Sequence, residues 1–233
     1  MVRAAVQLLS EVVANQIAAG EVVERPASAE KELVENAQDA DARRITIQVE
    51  EGGTRRIVVQ DDGHGMSAED AVRCIERHAT SKIRTTKDLD DVASFGFRGE
   101  ALPSIASVSR FCLTTRTAEA EVATRIVVDG GTVKPPQQVA APVGTRVEID
   151  DLFYNVPARQ KFLKRAQTEL SHVSDVIVRL ALARPEIAFR LSTEHRELLD
   201  IPREQAEDPR ARLRRIVGNT TADKLHPLPP LTG

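Results

Sequence analysis

The chain has 233 residues, 41% of them hydrophobic and 29% charged, so it holds enough apolar material for one good-sized core beneath a polar surface. Its net charge of −3 gives no sign of bulk nucleic-acid binding, and any contact with DNA requires a local basic patch. No run of about eighteen apolar residues exists to cross a membrane, the opening MVRAAVQLLSEVVANQIAAGE lacks the form of a secretory signal, and Cys74 and Cys112 are too few for a disulfide framework, which points to a reducing, cytoplasmic setting.

In chain order, Ser10 caps a helix through Ala19, with Gly20 as its stop. A second helix opens at Pro26, whose missing amide costs nothing in a first turn, and continues through Lys31–Ala42, KELVENAQDADA. At about 100° per residue, Glu32, Glu35, Asn36 and Asp39 share one stripe, while Ala29, Leu33, Val34, Ala37 and Ala40 form an apolar face. Such a stripe is either a solvated face or a site in which Glu32 activates water and Asn36 offers a carbonyl oxygen to a hard cation. Residues Arg44 to Glu50 then alternate as a half-buried strand, and Glu51-Gly52-Gly53 turns them into a second strand, Arg55 to Gln60. Strands joined by hairpins, with helices in clusters, predict α+β layering and not a parallel βαβ series.

Three loops carry possible chemistry. Asp61 to Met66, DDGHGM, sets an acid at a strand end before Gly63 and Gly65. It reads either as a Gly-rich turn before a helix capped by Ser67, or as a place where a ligand approaches backbone and Asp61 accepts from an amino group such as that of adenine. It is neither a dinucleotide fingerprint nor a P-loop. His78 to Lys82, HATSK, presents Thr80, Ser81 and Lys82 as a phosphate-contacting cluster or a capped turn. Ser94 to Leu102 places paired glycines around Phe97 and Arg98, with a helix opening near Glu100; such a segment is a candidate lid whose helix-start amides bind phosphate.

The remainder reads as scaffold. Phe111, Leu113 and Thr115 alternate as a strand, Asp129-Gly130-Gly131 is a hairpin turn, and Gly144 to Asp150 is strand-like. Val173, Val176, Ile177 and Leu180 mark the buried face of a helix that ends before Pro185. Two strands follow, Ile187 to Ser192 and Glu197 to Ile201, and Asp208-Pro209 opens a helix through Val217 stopped by Gly218. The basic cluster Arg159, Lys161, Lys164 and Arg165 either touches DNA phosphates or forms a solvated face paired with Asp150, Asp151 and Glu169. The five histidines show no metal-ligand spacing.

Taken together, ANQIAAGEVV (14–23), KELVEN with Asp39-Ala40, DDGHGM, HATSK, GFRGEAL (96–102) and DLFYNVPAR (151–159) resemble the N-terminal ATPase region of the MutL mismatch-repair family. The first nucleotide motifs are shared more widely with gyrases, heat-shock chaperones and histidine kinases; GFRGEAL and DLFYNVPAR single out MutL. A histidine-kinase reading finds no phosphoacceptor helix pair and no place for DLFYNVPAR.

The resemblance implies a two-layer α/β sandwich, a mostly antiparallel sheet with helices on one face, over residues 1–205, and the truncated beginning of a transducer domain over 206–233. It implies ATP and Mg²⁺ as ligands. Glu32 is then the general base and Asn36 the sole protein ligand of the metal. Asp61 reads adenine, with Gly63, Gly65 and Met66 beside it and Thr145 in support. Thr80, Ser81 and Lys82 contact the nucleotide, and Gly96, Phe97, Arg98, Gly99, Glu100, Ala101 and Leu102 form the phosphate-wrapping lid. It further implies a homodimer on ATP binding, signalling to mismatch-recognition and other repair proteins. DNA is reached mainly through other parts of the full-length protein, and no nuclease site falls within this chain. In the family the second domain supplies a lysine to the γ-phosphate, so an ATP-binding switch without useful turnover is the alternative reading of this chain.

Overall fold

The computed structural model describes residues 7, 16, 17, 19, 20, 22–80, 99–204 and 210–225. Helix α1 (Pro26–Asp39) begins as expected, with Pro26 following an extended Arg25. It closes where Asp41 takes a left-handed φ of 57° and the Ala40 and Ala42 amides donate back to Asn36 and Ala37 carbonyls. Gln16, Ile17, Ala19, Gly20 and Val22 are also helical, and the Val23 amide donates to Ala19 O at 2.8 Å. Gly20 therefore does not stop that segment. A glycine ends a helix only where it turns left-handed, and Gly20 stays within the helical turn.

The strands are β1 (Arg44–Glu50), β2 (Arg56–Asp61), β3 (Arg110–Arg116), β4 (Ala123–Asp129), β5 (Thr132–Val133), β6 (Gln137–Val139), β7 (Gly144–Asp150), β8 (Ala188–Thr193) and β9 (Glu197–Ile201). They form one sheet in the order β5-β4-β3-β7-β2-β1-β8-β9, with β6 also paired to β4. Among the described residues every pairing is antiparallel except β1 with β8. Glu51–Gly53 forms a short 3-10 turn between β1 and β2, and Gly52 supplies the positive φ that the reversal requires.

Alternation decides which face is covered. Ile45, Ile47 and Val49, with Ile57 and Val59, Phe111 and Leu113, Val147 and Ile149, and Phe189 and Leu191, are buried together. Onto them pack Leu33, Val34 and Ala37 of α1, Ala71 of α2 (Ala68–Arg73), Ile105 and Ala106 of α3 (Ala101–Ser107), and Val173, Ile177 and Ala181 of α5 (Ala166–Ala183). Each large side chain so buried contributes about 1.5–3 kcal/mol relative to exposure. The sandwich is thus held from one side of the sheet, as the family resemblance implies.

Between these helices, residues Asp151 to Val156 lead into the short α4 (Pro157–Gln160). Among the described residues the basic cluster beside it forms no ion pair with the expected acidic partners. Asp150 pairs with Arg56 and Asp151 with Arg110, because the sheet register places those arginines next to them, while the buried Glu169 carboxylate accepts the Lys164 amide. At the C-terminal end α6 (Ala211–Val217) stops at Gly218, φ 81°, as expected, and α7 (Asn219–Ala222) follows; the expected start at Asp208-Pro209 lies outside the described residues.

Candidate functional site

The DDGHGM loop is fastened to two elements at once. Asp61 ends β2 half-buried, and its Oδ1 accepts from the Gly63 amide at 2.8 Å and the Thr145 amide of β7 at 3.3 Å. Both bonds fall on one oxygen. Burial pushes the Asp61 pKa up to about 6 against the pull of these two amides. A carboxylate so held is a strong, directed acceptor. Asp62 does different work: its Oδ1 accepts the Arg43 and Arg44 amides at 2.8 Å each, closing the chain between α1 and β1. The His64 amide adds a bond to Ala40 O at 3.0 Å, so the loop lies against the end of α1.

Gly65 shows why the loop needs glycine. Its φ is 69°, and a Cβ there would run into the carbonyl of Arg116 at the end of β3. Next to it the Met66 amide donates to Thr115 Oγ1 at 2.9 Å. That hydroxyl also lies 3.0 Å from Thr145 Oγ1 and donates to Gly144 O at 3.2 Å. Two strands, β3 and β7, and the loop therefore meet at Thr115, for which alternation alone predicts only a place in a strand. The available signal was a hydroxyl in a row otherwise occupied by Phe111 and Leu113.

On α1, Glu32, Asn36 and Asp39 are half-buried along the expected stripe. Glu35 leaves it: the residue is 3% exposed, and its carboxylate pairs with Lys31 at 2.8 Å one turn back. The stripe is thus narrower than periodicity implied, and Glu32 and Asn36 remain one turn apart upon it.

The other two loops converge. Gly99, φ 63°, passes so close to Ala79 that a Cβ would meet the Ala79 carbonyl. Glu100 faces Arg77 at 4.0 Å and His78 Nδ1 at 3.5 Å. Thr80, Gly99, Ala101 and Leu102 are half-buried, and Glu100 precedes the first residue of α3. Ser81, Lys82, Gly96, Phe97 and Arg98 lie outside the described residues. The end of the GFRGEAL segment is therefore joined to the start of HATSK. Among the described residues no group of three or more His, Cys, Asp or Glu side chains gathers as a metal cluster, and no helix is long and apolar enough to cross a membrane.

One-sided sandwich, strand-end acid, polar helix stripe and two converging loops define a nucleotide-binding ATPase class. Residues 24–140 match the family described as histidine kinase-, DNA gyrase B-, and HSP90-like ATPase. The chain is 53% identical over 222 residues to the DNA mismatch repair protein MutL of Myxococcus xanthus, covering 94% of this chain and 35% of that protein. With MutL of Syntrophotalea carbinolica it shares 55% identity over 206 residues, 88% of this chain and 33% of the relative. It spans about a third of the length of the curated relatives it matches. Among solved structures, the Aquifex aeolicus MutL ATPase domain complexed with ADP superposes with a TM-score of 0.67 at 34% identity, covering 84% of this chain and 70% of that one. The chain belongs to the MutL branch of the histidine kinase-, DNA gyrase B- and HSP90-like ATPase family.

Proposed function

We propose that the chain binds ATP with Mg²⁺ and hydrolyses it as the nucleotide-driven switch of a mismatch-repair protein. The observation that carries this is Asp61. One of its oxygens is occupied by two backbone amides, which leaves the other to accept from the adenine amino group. Gly63, Gly65 and Met66 let the base lie close to backbone, and Thr145 braces the acid from β7.

Glu32 takes the proton of the water that attacks the γ-phosphorus, and ADP leaves with the bridging oxygen. The donor set suits magnesium: one amide oxygen, Asn36, a turn beyond Glu32, with phosphate oxygens and waters to complete an octahedron. When bound, the ion neutralises phosphate charge. Thr80, Ser81 and Lys82 contact the nucleotide, and Gly96 to Leu102 closes over the phosphates with its backbone amides. The junction of Gly99 with Ala79 supports joint movement of these two loops.

The ATPase domain extends over 1–205, supported by β9 completing the sheet at Ile201, and 206–233 begins the transducer domain. The ATP-bound chain pairs with a second copy and signals to mismatch-recognition and other repair proteins in the cytoplasm. DNA is engaged mainly by other parts of the full-length protein. Steady-state turnover at several protein concentrations, with titration of a non-hydrolysable ATP analogue, tests the reading. Saturable binding with turnover that rises with concentration is expected. Binding with no turnover at any concentration favours the passive switch, and failure to bind the analogue refutes the site.

A further inference from the structure

DLFYNVPAR marks the family in sequence, and among the described residues its bonds run to α3, the turn before β2 and the N-terminal segment. The Phe153 amide donates to Val108 O at 2.7 Å and Asn155 Nδ2 to Ser107 O at 2.9 Å, gripping the C-terminal end of α3. The Leu152 amide donates to Thr54 O at 3.1 Å, fixing the loop to the start of β2. Arg159 then crosses to a third element. It is half-buried while Pro157, Ala158, Gln160 and Lys161 around it are exposed.

Arg159 Nη1 donates to Val23 O at 3.0 Å, and the guanidinium carbon lies 5.9 Å from the centre of the fully buried Phe153 ring. The guanidinium also covers Gly20, and a Cβ at Gly20 would occupy the place of the Arg159 guanidinium group. Val23 is completely buried, and its own amide is bonded to Ala19 O. Two residues later Arg25 caps α1, accepting the Ser28 amide at 3.0 Å. The angle at which α1 enters the sandwich is therefore set by a contact with the loop that also holds α3.

We propose that Arg159, seated on Phe153 and fitted over Gly20, is a positioning residue that joins the N-terminal segment to the nucleotide site. It holds Gly20 and Val23, and hence the entry of α1 with Glu32 and Asn36, in register with α3. The planar guanidinium is needed because it covers a flat backbone surface and donates a hydrogen bond from its edge; a lysine ammonium provides only the bond. Gly20 leaves the guanidinium its seat, because a Cβ there would push it away from Val23 O. The kinetic consequence rests on the ATPase reading, whereas the structural one does not.

The test uses Arg159→Ala, Arg159→Lys, Gly20→Ala and the Gly20→Ala/Arg159→Ala pair in the 233-residue chain. Hydrogen exchange without nucleotide is read at the Val23 amide. Arg159→Ala and Gly20→Ala should each speed exchange there about tenfold or more. The double variant should be no faster than Arg159→Ala, since the clash disappears with the guanidinium. Turnover should fall about tenfold or more in Arg159→Ala and less in Arg159→Lys, with analogue affinity within about twofold of the parent. Unchanged exchange at Val23, or strict additivity of the pair, overturns the joint. Faster exchange with an unchanged kcat in a chain that turns over overturns the positioning role. If the parent chain itself fails to turn over, the ATPase reading fails, and the exchange measurement still decides the joint.

Discussion

Glu30 offers a test of the fold's energetics that the functional reading does not need. It lies one turn into α1 beside Ala29, Leu33 and Val34, fully buried, and neither carboxyl oxygen has a hydrogen-bond partner among the described residues. Burial raises its pKa well above 4.5. Replacing it by leucine, of similar volume, removes an unsatisfied polar group whose burial costs about 1–3 kcal/mol. A second contribution depends on pH. The unfolded chain releases the Glu30 proton near pH 4.5, while the folded chain retains it. Stability present below pH 4.5 is therefore lost by about 1.4 kcal/mol per pH unit as pH rises toward the folded pKa. Glu30→Leu should be more stable than the parent by about 1–3 kcal/mol near pH 4.5, and by more at pH 7. For a chain this size each kcal/mol raises Tm by about 2–4 °C. Urea unfolding at both pH values reads the difference, with Glu30→Gln as the control that keeps the polar group and abolishes the titration. A leucine variant less stable than the parent, or a gain equal at both pH values, refutes the reasoning.

At the site, Glu32→Ala should bind ATP and lose hydrolysis by about 10²–10⁴-fold in a single-turnover assay; unchanged turnover removes Glu32 as the base. Asp61→Asn should weaken binding by about 1.5–3 kcal/mol by calorimetry. In the parent, Asp61 is protonated as pH falls through about 6, so affinity should drop there, and the asparagine variant should lack that component. Asn36→Ala should weaken nucleotide binding in the presence of Mg²⁺ and leave metal-free binding unchanged, which titrations with and without EDTA compare. An equal loss in both would contradict the ligand role.

Local chemistry explains what the sequence disclosed. Helix α1 and strands β1 and β2 follow from periodicities of 3.6 and 2 and from Pro26 and Gly52-Gly53 as punctuation. The sheet order does not follow, because β7 enters between β2 and β3 through pairings such as Val59 with Val147, which no alternation pattern encodes. The parallel β1–β8 pair is equally invisible, since Ile45 and Phe189 would alternate correctly in any neighbour. At the site, the motifs located Asp61 and the stripe of α1, but not the hydroxyl of Thr115 that ties Met66 to β7. That hydroxyl is legible only once β3 and β7 are known to be adjacent. Glu30 was hidden for a related reason: a charged residue on an amphipathic helix reads as exposed until the packing of its neighbours is known.

Backbone strain separates the motifs that close a turn from those that hold a shape. Among the described residues five non-glycine positions have positive φ: Asp41, Glu51, His78, Asp151 and Phe153. Asp41 and Glu51 are polar residues ending a helix and opening a hairpin turn, where a left-handed residue is the ordinary solution. His78 lies in HATSK, and its ring faces Glu100 across the junction with the lid segment. Phe153 is different, because a bulky aromatic in this region costs about 1–2 kcal/mol and has no local reason to be there. It persists because its ring is fully buried and its amide is bonded to Val108, so the surrounding fold fixes both ends. The bend this imposes carries the chain into α4 and brings Arg159 over Gly20 and against Val23. A loop relaxed to ordinary φ at Phe153 would lose the Val108 bond or the burial of the ring. The strain in DLFYNVPAR is thus offset by the same contacts that connect α3 to the entry of α1.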